Sequence, residues 1–236
     1  MADRAVFWDF DGTLAASSPL WSRCMLEALT ELIPDTHINP DELRANMMGK
    51  YPWDTPYDDH TKHIGAAFWS CLEAAFADAY TACGVDSHIA VEAAGLVRGL
   101  ILRPQNYRVY DDAIFALRAA KALGYGSYLL SNNFPELPAL AAQLGLDEYL
   151  DGCIVSGIEG YDKPRAELFN IAAMRAGEPE IRIMVGDNPY ADAAGGKNAG
   201  MITVLVRRCD ESAADYTFAE LSGLREVLLK FAAGPK

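Results

Sequence analysis

Two patterns of apolar spacing divide this chain. Between about residues 15 and 105 the apolar side chains recur at three- and four-residue steps, the period of an amphipathic helix. "PLWSRCMLEALTEL", "NPDELRANMMG", "HIGAAFWSCLEAAFADAYTACG" and "HIAVEAAGLVRGLI" all read this way. In the third, Ile64, Phe68, Cys71, Leu72, Ala75 and Phe76 line one predicted face, and Gly84 ends the run as a C-terminal cap would. "GKYPWDTPYDD", residues 49 to 59, interrupts the helices with two prolines and clustered aspartates, and is the segment expected to move.

Outside that span the period shortens. "AVFW", "YGSYLL", "GCIV", "IRIMV" and "MITVLV" are short apolar runs rich in aromatic and β-branched residues, and Ala/Leu-rich helical stretches separate the later ones. Pro135, Pro164 and Pro189 are expected to open helices, and Gly145, Gly177 and Gly200 to close them. The pattern predicts an α/β fold: a doubly wound, Rossmann-like parallel-sheet core made of residues 1–14 and 106–236, with residues 15–105 inserted after its first strand as an all-helical cap.

Composition narrows the partners. The chain has 236 residues, 51% of them hydrophobic, which suffices for a sizeable core with a smaller second one. A net charge of -13 with dispersed acidic residues argues against a nucleic acid or an anionic membrane surface. A small anion therefore needs a local cation. The apolar run between Arg4 and Asp9 is too short for a signal peptide or a spanning helix, so the expectation is a soluble, cytoplasmic protein. Cys24, Cys71, Cys83, Cys153 and Cys209 are odd in number and never spaced as CxxC; they read as buried or half-buried free thiols. His60 and His63, beside Asp58 and Asp59, read as a solvated helix start in preference to a metal site.

Open parallel sheets bind ligands beyond the carboxyl ends of their strands. The polar residues there are Asp9 and Asp11, Ser131 and Asp187, with Lys163 reaching the same edge on a loop. Asp9 and Asp11, two residues apart on extended chain, would project to one side with bases about 7 Å apart. Carboxylates about 4 Å apart repel by roughly 4 kcal/mol at an effective dielectric of 20, and Asp187 adds a third charge. Lys163 and a hard divalent cation answer that repulsion, and all-oxygen ligands favour Mg²⁺ over zinc. Such a pocket suits a phosphate dianion. Asp9, first off the strand, is the candidate nucleophile at phosphorus, and Asp11 the candidate general acid and then base. Gly12 permits a sharp turn that the Thr13 hydroxyl is expected to hold by a local bond. Lys50, Tyr51 and Trp53, in the proline-rich loop, are expected to reach over the site toward the leaving group.

Taken in order, Asp9-Phe10-Asp11-Gly12-Thr13-Leu14, Ser131 with Asn132, "DKP" around Lys163, and "GDNPYAD" with Asp187 and Asp192 form a set. A chain carrying it resembles the haloacid dehalogenase-like hydrolase superfamily, in the branch with a helical cap after the first strand. The resemblance covers most of residues 1 to 14 and 106 to 206 and is only architectural in the cap. It implies that Mg²⁺ is held by Asp9, the backbone oxygen of Asp11 and the Asp187 carboxylate, with Asp192 in support, and that Ser131 and Lys163 bind and neutralise the transferring phosphoryl group. Asn132 then joins Gly12, Thr13 and Lys50 as a substrate-facing residue. Ala16 departs from the acidic residue that many relatives carry there.

The function expected is a Mg²⁺-dependent phosphatase hydrolysing a small soluble phosphomonoester through an aspartyl-phosphate intermediate. A phosphomutase would keep the same residues. Dehalogenation would not need the acid that Asp11 supplies. A non-catalytic regulatory or binding protein on this scaffold would have little physical reason to retain so many mutually repelling charges. A phosphoacceptor receiver domain is smaller and orders its residues differently, and "GGKN" at 195–198 lacks the glycine and the Ser/Thr of a phosphate-binding P-loop.

Overall fold

Ala5, Val6, Phe7 and Trp8 are buried in succession, the signature of a strand covered on both faces. They form β1 (Arg4–Trp8) in the structure, a computed structural model that describes residues 3–17, 19–208 and 214–232. Cys209 lies outside the described residues. After a tight turn the chain runs through β2 (Ala15–Ala16) into helices α1 (Leu20–Leu32), α2 (Pro40–Met47), α3 (Ala66–Ala82) and α4 (Ser87–Ile101), and returns through β3 (Arg108–Val109). Helix and strand then alternate as α5 (Asp111–Ala122), β4 (Gly126–Ser131), α6 (Leu137–Gln143), β5 (Gly152–Val155), α7 (Ser156–Glu159), α8 (Ala166–Arg175) and β6 (Ile181–Gly186). A wide π-helical turn at Pro189–Ala194 leads to α9 (Gly195–Asn198), β7 (Ile202–Val206), β8 (Tyr216–Phe218) and α10 (Leu224–Ala232).

Six strands pair in parallel in the order β5-β4-β1-β6-β7-β8. This doubly wound order places β1 between β4 and β6, with Trp8 level with Leu129 on one side and Val185 on the other. One step further along, Asp9 is flanked by the ends of β4 and β6, where Ser131 and Asp187 emerge. The sheet edge is therefore assembled from both ends of the chain.

Helices α1 to α4 pack on one another, α4 against both α1 and α3. Tyr80 of α3 donates its hydroxyl to the Met25 carbonyl of α1 at 2.6 Å, satisfying a polar group buried at that seam. The two threads joining these helices to the sheet, β2 and β3, pair antiparallel with Ala15 opposite Val109. No helix among the described residues is long and apolar enough to cross a membrane.

Some local expectations shift. The buried face of α3 is Phe68, Trp69, Leu72, Phe76, Ala79 and Tyr80, while Ile64 precedes the helix and Cys71 is exposed. Gly65, at φ 58°, leaves Ile64 outside the helix, and the face that packs keeps Phe68, Leu72 and Phe76 but takes Trp69, Ala79 and Tyr80 in place of Cys71 and Ala75. Pro135 and Pro164 stand short of α6 and α8; of the three prolines expected to open helices, Pro189 alone begins its element. Gly145, Gly177 and Gly200 do follow their helices in the left-handed conformation. Sequence patterning did not resolve β8 and α10, whose apolar runs are short.

The edge of the sheet is tied down by one ion pair. Arg207, just past β7, donates to both carboxylate oxygens of Asp112 in the first turn of α5, at 2.8 and 2.5 Å, and to the Thr13 carbonyl at 3.2 Å. Its guanidinium lies 3.9 Å from the Tyr110 ring centroid, and the Leu221 N–H also donates to Asp112. Burial works to raise the Asp112 carboxyl, but Arg207 and the Leu221 N–H outweigh it and hold it below the ordinary carboxylate range. A depressed carboxyl contributes stability that is present above the unfolded value of about 3.9 and lost as pH falls through the lower folded value. Asp112→Asn is expected to cost about 2 kcal/mol in urea unfolding at pH 7, with the gap to the wild type closing below about pH 4.

Candidate active site

The chain leaves β1 as Asp9, whose N–H still pairs with the Val185 carbonyl at 2.9 Å, and then folds back so that the Phe10 carbonyl accepts from the N–H groups of Thr13, Leu14 and Ala15. Gly12 makes the turn possible on two counts. Its φ is +77°, and a Cβ there would lie 2.5 Å from Asp187 Oδ2. Gly186, at the end of β6, has the same steric role toward the Asp192 carboxylate, which a Cβ would strike. Both glycines let backbone approach a carboxylate that no other residue would admit.

At the centre is Lys163, with a fully buried side chain. Its ammonium donates to Asp9 Oδ1 at 2.9 Å, to Asp192 Oδ1 at 2.6 Å and to the Leu130 carbonyl at 2.9 Å, which uses all three of its protons. Burial works against the charge, but Asp192 and Asp9 outweigh it and keep the ammonium above its ordinary pKa. Ser131, the last residue of β4, donates to Asp9 Oδ1 at 2.8 Å. Asp192, in the π-helical turn, accepts from the Asn188 N–H at 3.0 Å through its other oxygen.

Asp187 differs from its neighbours. Its carboxylate accepts no hydrogen bond among the described residues, and burial together with the Asp9 and Asp192 charges pushes it up to about 7. Oxygens of Asp9, Asp187 and Asp192 all lie within 4.8 Å of one another. Three carboxylates converge on one point with a single ammonium to offset them, and every donor is a hard oxygen. That donor set fits a divalent cation of the Mg²⁺ or Ca²⁺ type, and no histidine belongs to the cluster.

Asp11 faces elsewhere. Ser17 Oγ donates to its Oδ1 at 2.5 Å and Asn133 Nδ2 to its Oδ2 at 2.7 Å. Burial raises it to about 6, against the pull of the Ser17 and Asn133 hydrogen bonds, and the Asp9 charge adds to the rise. Its side chain is outside the three-carboxylate cluster, so any part it takes in holding a cation rests with its backbone oxygen.

One cavity of about 430 Å³ joins these groups. Asp9, Asp11, Ser131, Asn132, Lys163, Asp187 and Asp192 line one end, and residues of the helical segment line the other. Asn132 borders it, but both ends of its amide bond the Lys163 backbone, at 2.7 and 2.9 Å, so it positions the lysine loop. Gly12 and Thr13 lie under the cavity and not among its lining. The Thr13 hydroxyl is buried without a partner, so the expected local bond is not made; the three N–H groups converging on the Phe10 carbonyl hold the turn in its place. Lys50 is exposed and outside the lining, because the chain turns at Gly49 and carries its side chain into solvent. Tyr51 and Trp53 do line the cavity. His60 and His63 lie in the loop before α3, with His60 Nε2 2.9 Å from the Thr55 carbonyl.

Sequence reasoning passed over Ser17 and Asn133, the two donors to Asp11. Nothing in "LAAS" or "SNNF" marks them, since Ser and Asn after strands ordinarily cap turns. It also passed over Trp21, Arg44 and Tyr190, which reach the cavity from three separate elements.

A family model described as haloacid dehalogenase-like hydrolase matches residues 4–200. Among curated proteins, a glyceraldehyde 3-phosphate phosphatase of Pyrococcus furiosus is 38% identical over 95 residues, a stretch covering 36% of this chain and 40% of that protein. The match thus spans about two-fifths of that relative's length. A glyceraldehyde 3-phosphate phosphatase of Methanopyrus kandleri is 28% identical over 219 residues, 87% of this chain and 84% of that protein. The solved structure of a 2-haloacid dehalogenase from Pseudomonas syringae superposes with a TM-score of 0.70 at 22% identity, covering 97% of this chain and 99% of that one, a likeness of fold.

The unpartnered Asp187 carboxylate gives a test that needs no turnover. A carboxyl raised in the folded state binds protons that the unfolded chain has released, so the cation-free protein loses stability as pH rises from about 4 to 7. In EDTA at pH 8, Asp187→Asn is expected to be more stable than the wild type by roughly 2 kcal/mol, or about 5 °C in Tm. Millimolar Mg²⁺ should raise the wild-type Tm and leave the variant unmoved. Thermal unfolding with and without the cation checks both.

Proposed function

The chain belongs to the haloacid dehalogenase-like hydrolases, and from that membership we propose that it is a Mg²⁺-dependent phosphatase acting on a small phosphomonoester through an aspartyl-phosphate. Residues 1–14 and 106–236 are read as the catalytic core and residues 15–105 as a cap over it. The observation that carries the reading is the contrast between two aspartates two residues apart. Asp9 accepts from Lys163 and Ser131, whereas Asp11 is set aside by Ser17 and Asn133 with its pKa raised to about 6. An acid poised near neutrality beside a carboxylate nucleophile serves the loss of an alkoxide, which needs a proton; loss of a halide does not.

In the first step an Asp9 oxygen attacks phosphorus, the bond from phosphorus to the ester oxygen breaks, and Asp11 passes its proton to the departing oxygen. In the second, Asp11, now ionised, removes a proton from water as the water oxygen bonds to phosphorus. The aspartyl–phosphorus bond breaks, inorganic phosphate leaves and Asp9 is restored. Lys163 and Ser131 hold the attacking carboxylate and offset charge on the transferring group, with no reorganisation at the moment of reaction. Asp9, Asp187 and Asp192, with the Asp11 backbone oxygen, would hold a Mg²⁺ ion, which supplies charge neutralisation at the phosphoryl oxygens when bound. The glyceraldehyde 3-phosphate phosphatases among the relatives support a small phosphate ester as substrate.

Purified protein with Mg²⁺ is expected to release inorganic phosphate from p-nitrophenyl phosphate, and to lose that activity in EDTA and in Asp9→Asn. Activity surviving both would overturn the assignment. Asp11→Asn should lower kcat by about 10² to 10⁴ on an alkyl phosphate; on p-nitrophenyl phosphate, whose leaving group needs no proton, a burst of p-nitrophenolate should survive while steady turnover falls, because the water of the second step still lacks its base. With a sugar phosphate, free phosphate and not an isomerised sugar phosphate is the expected product.

A further inference from the structure

The leaving-group end of the cavity is walled by aromatic side chains. Trp21 of α1 and Tyr51 and Trp53 of the loop after α2 are half-buried and border the same space as the carboxylates. Tyr51 and Trp53 are stacked, with centroids 5.0 Å apart and planes at 5°. Trp21 leans on both, at 5.2 and 5.6 Å. Behind Trp21 lie the buried rings of Trp69, Phe76 and Phe134, at 6.2 to 6.3 Å, which fix its position. The wall is thus a packed surface.

Its polar edges are free. Neither the Trp21 nor the Trp53 indole N–H, nor the Tyr51 hydroxyl, has a hydrogen-bond partner among the described residues. Trp69 Nε1, by contrast, donates to Glu136 at 2.8 Å, and the Tyr80, Tyr107 and Tyr125 hydroxyls all donate to backbone carbonyls. At the rim Arg44 of α2 bonds only the exposed Asp41 among the described residues.

Resting on the phosphatase reading, we propose that the preferred substrates are phosphomonoesters of alcohols bearing a planar aromatic or heteroaromatic ring, seated against Trp21, Tyr51 and Trp53. A short polyol placed there could accept from the same free donors but would leave the aromatic carbon of the wall uncovered. A flat ring gains stacking area against a wall already ordered, so little rotamer entropy is lost on binding. Ring carbonyls or nitrogens would meet the free indole and phenol donors and the Arg44 guanidinium. A cavity of about 430 Å³ is also larger than a phosphoryl group on a three-carbon alcohol requires.

The test compares esters of primary alcohols, so that the strength of the breaking bond is matched: uridine 5′-monophosphate and 2-phenylethyl phosphate against glyceraldehyde 3-phosphate. The ringed esters are expected to have kcat/KM at least about 10-fold higher, the effect of one stacked ring. That ratio should fall toward unity in Trp53→Ala and be kept in Trp53→Phe. A ratio near or below one in the wild type, or one unmoved by Trp53→Ala, overturns the proposal. Asp9→Asn, titrated with uridine 5′-monophosphate, should show quenching of tryptophan fluorescence that weakens when Trp53→Ala is added. If no ester is hydrolysed, the phosphatase reading fails while this titration still decides the ring site: quenching weakened by Trp53→Ala upholds it, and no quenching, or quenching unmoved by Trp53→Ala, overturns it.

Discussion

The structure turns on one buried ammonium. Lys163 has all three of its protons committed, to Asp9, Asp192 and the Leu130 carbonyl, at a sheet edge where Asp187 adds further negative charge. Carboxylates in that number would be expensive to bury without it, and a lysine there would be equally expensive without them. The interaction binds together the ends of β1 and β4, the loop before α8 and the π-helical turn after β6. Placing β1 between β4 and β6 is the topological condition for it, because only neighbours in the sheet can bring side chains from both ends of the chain within hydrogen-bond reach.

Lysine alone leaves the edge negative, and the two aspartates nearest in sequence divide the consequences. Asp9 shares an oxygen with Lys163 and Ser131 and stays within the cluster. Asp11 is drawn out of it by the Ser17 and Asn133 donors, and burial holds its proton near neutrality. Similar chemistry in the string becomes dissimilar chemistry in space because the turn at Gly12 sends successive side chains into different surroundings. The same turn is clasped from behind, where Arg207 reaches the Thr13 carbonyl while paired with Asp112.

The helical segment adds no carboxylate to the cluster. Its contribution is surface, an aromatic wall that borders the same cavity as the carboxylates. It meets the core at a few directed contacts: Trp69 and Arg98 both donate to Glu136, Gly65 N–H to the Gly157 carbonyl, and the Tyr190 hydroxyl to that of Tyr57. Most of these lie near the surface, so the segment is held by a handful of polar bonds around the ring cluster of Trp21, Trp69 and Phe134.

Sequence by itself determined the strand and helix grammar, the doubly wound class, and which polar residues stand at strand ends. Those are local matters: the two-residue and 3.6-residue periods, glycine at positive φ, and the rule that parallel strands present their carboxyl ends together. It could not show that Asn132 turns to the lysine loop while Asn133 takes Asp11, nor that Lys50 points to solvent while Arg44 and Trp21 reach the cavity. Nor could it show that the Thr13 hydroxyl goes unpaired. Such choices depend on the angle at which one element meets another, and neighbours in sequence are separated by a single rotation about the backbone. Only the packed tertiary structure decided them, because only there does burial fix which of two similar side chains finds a partner.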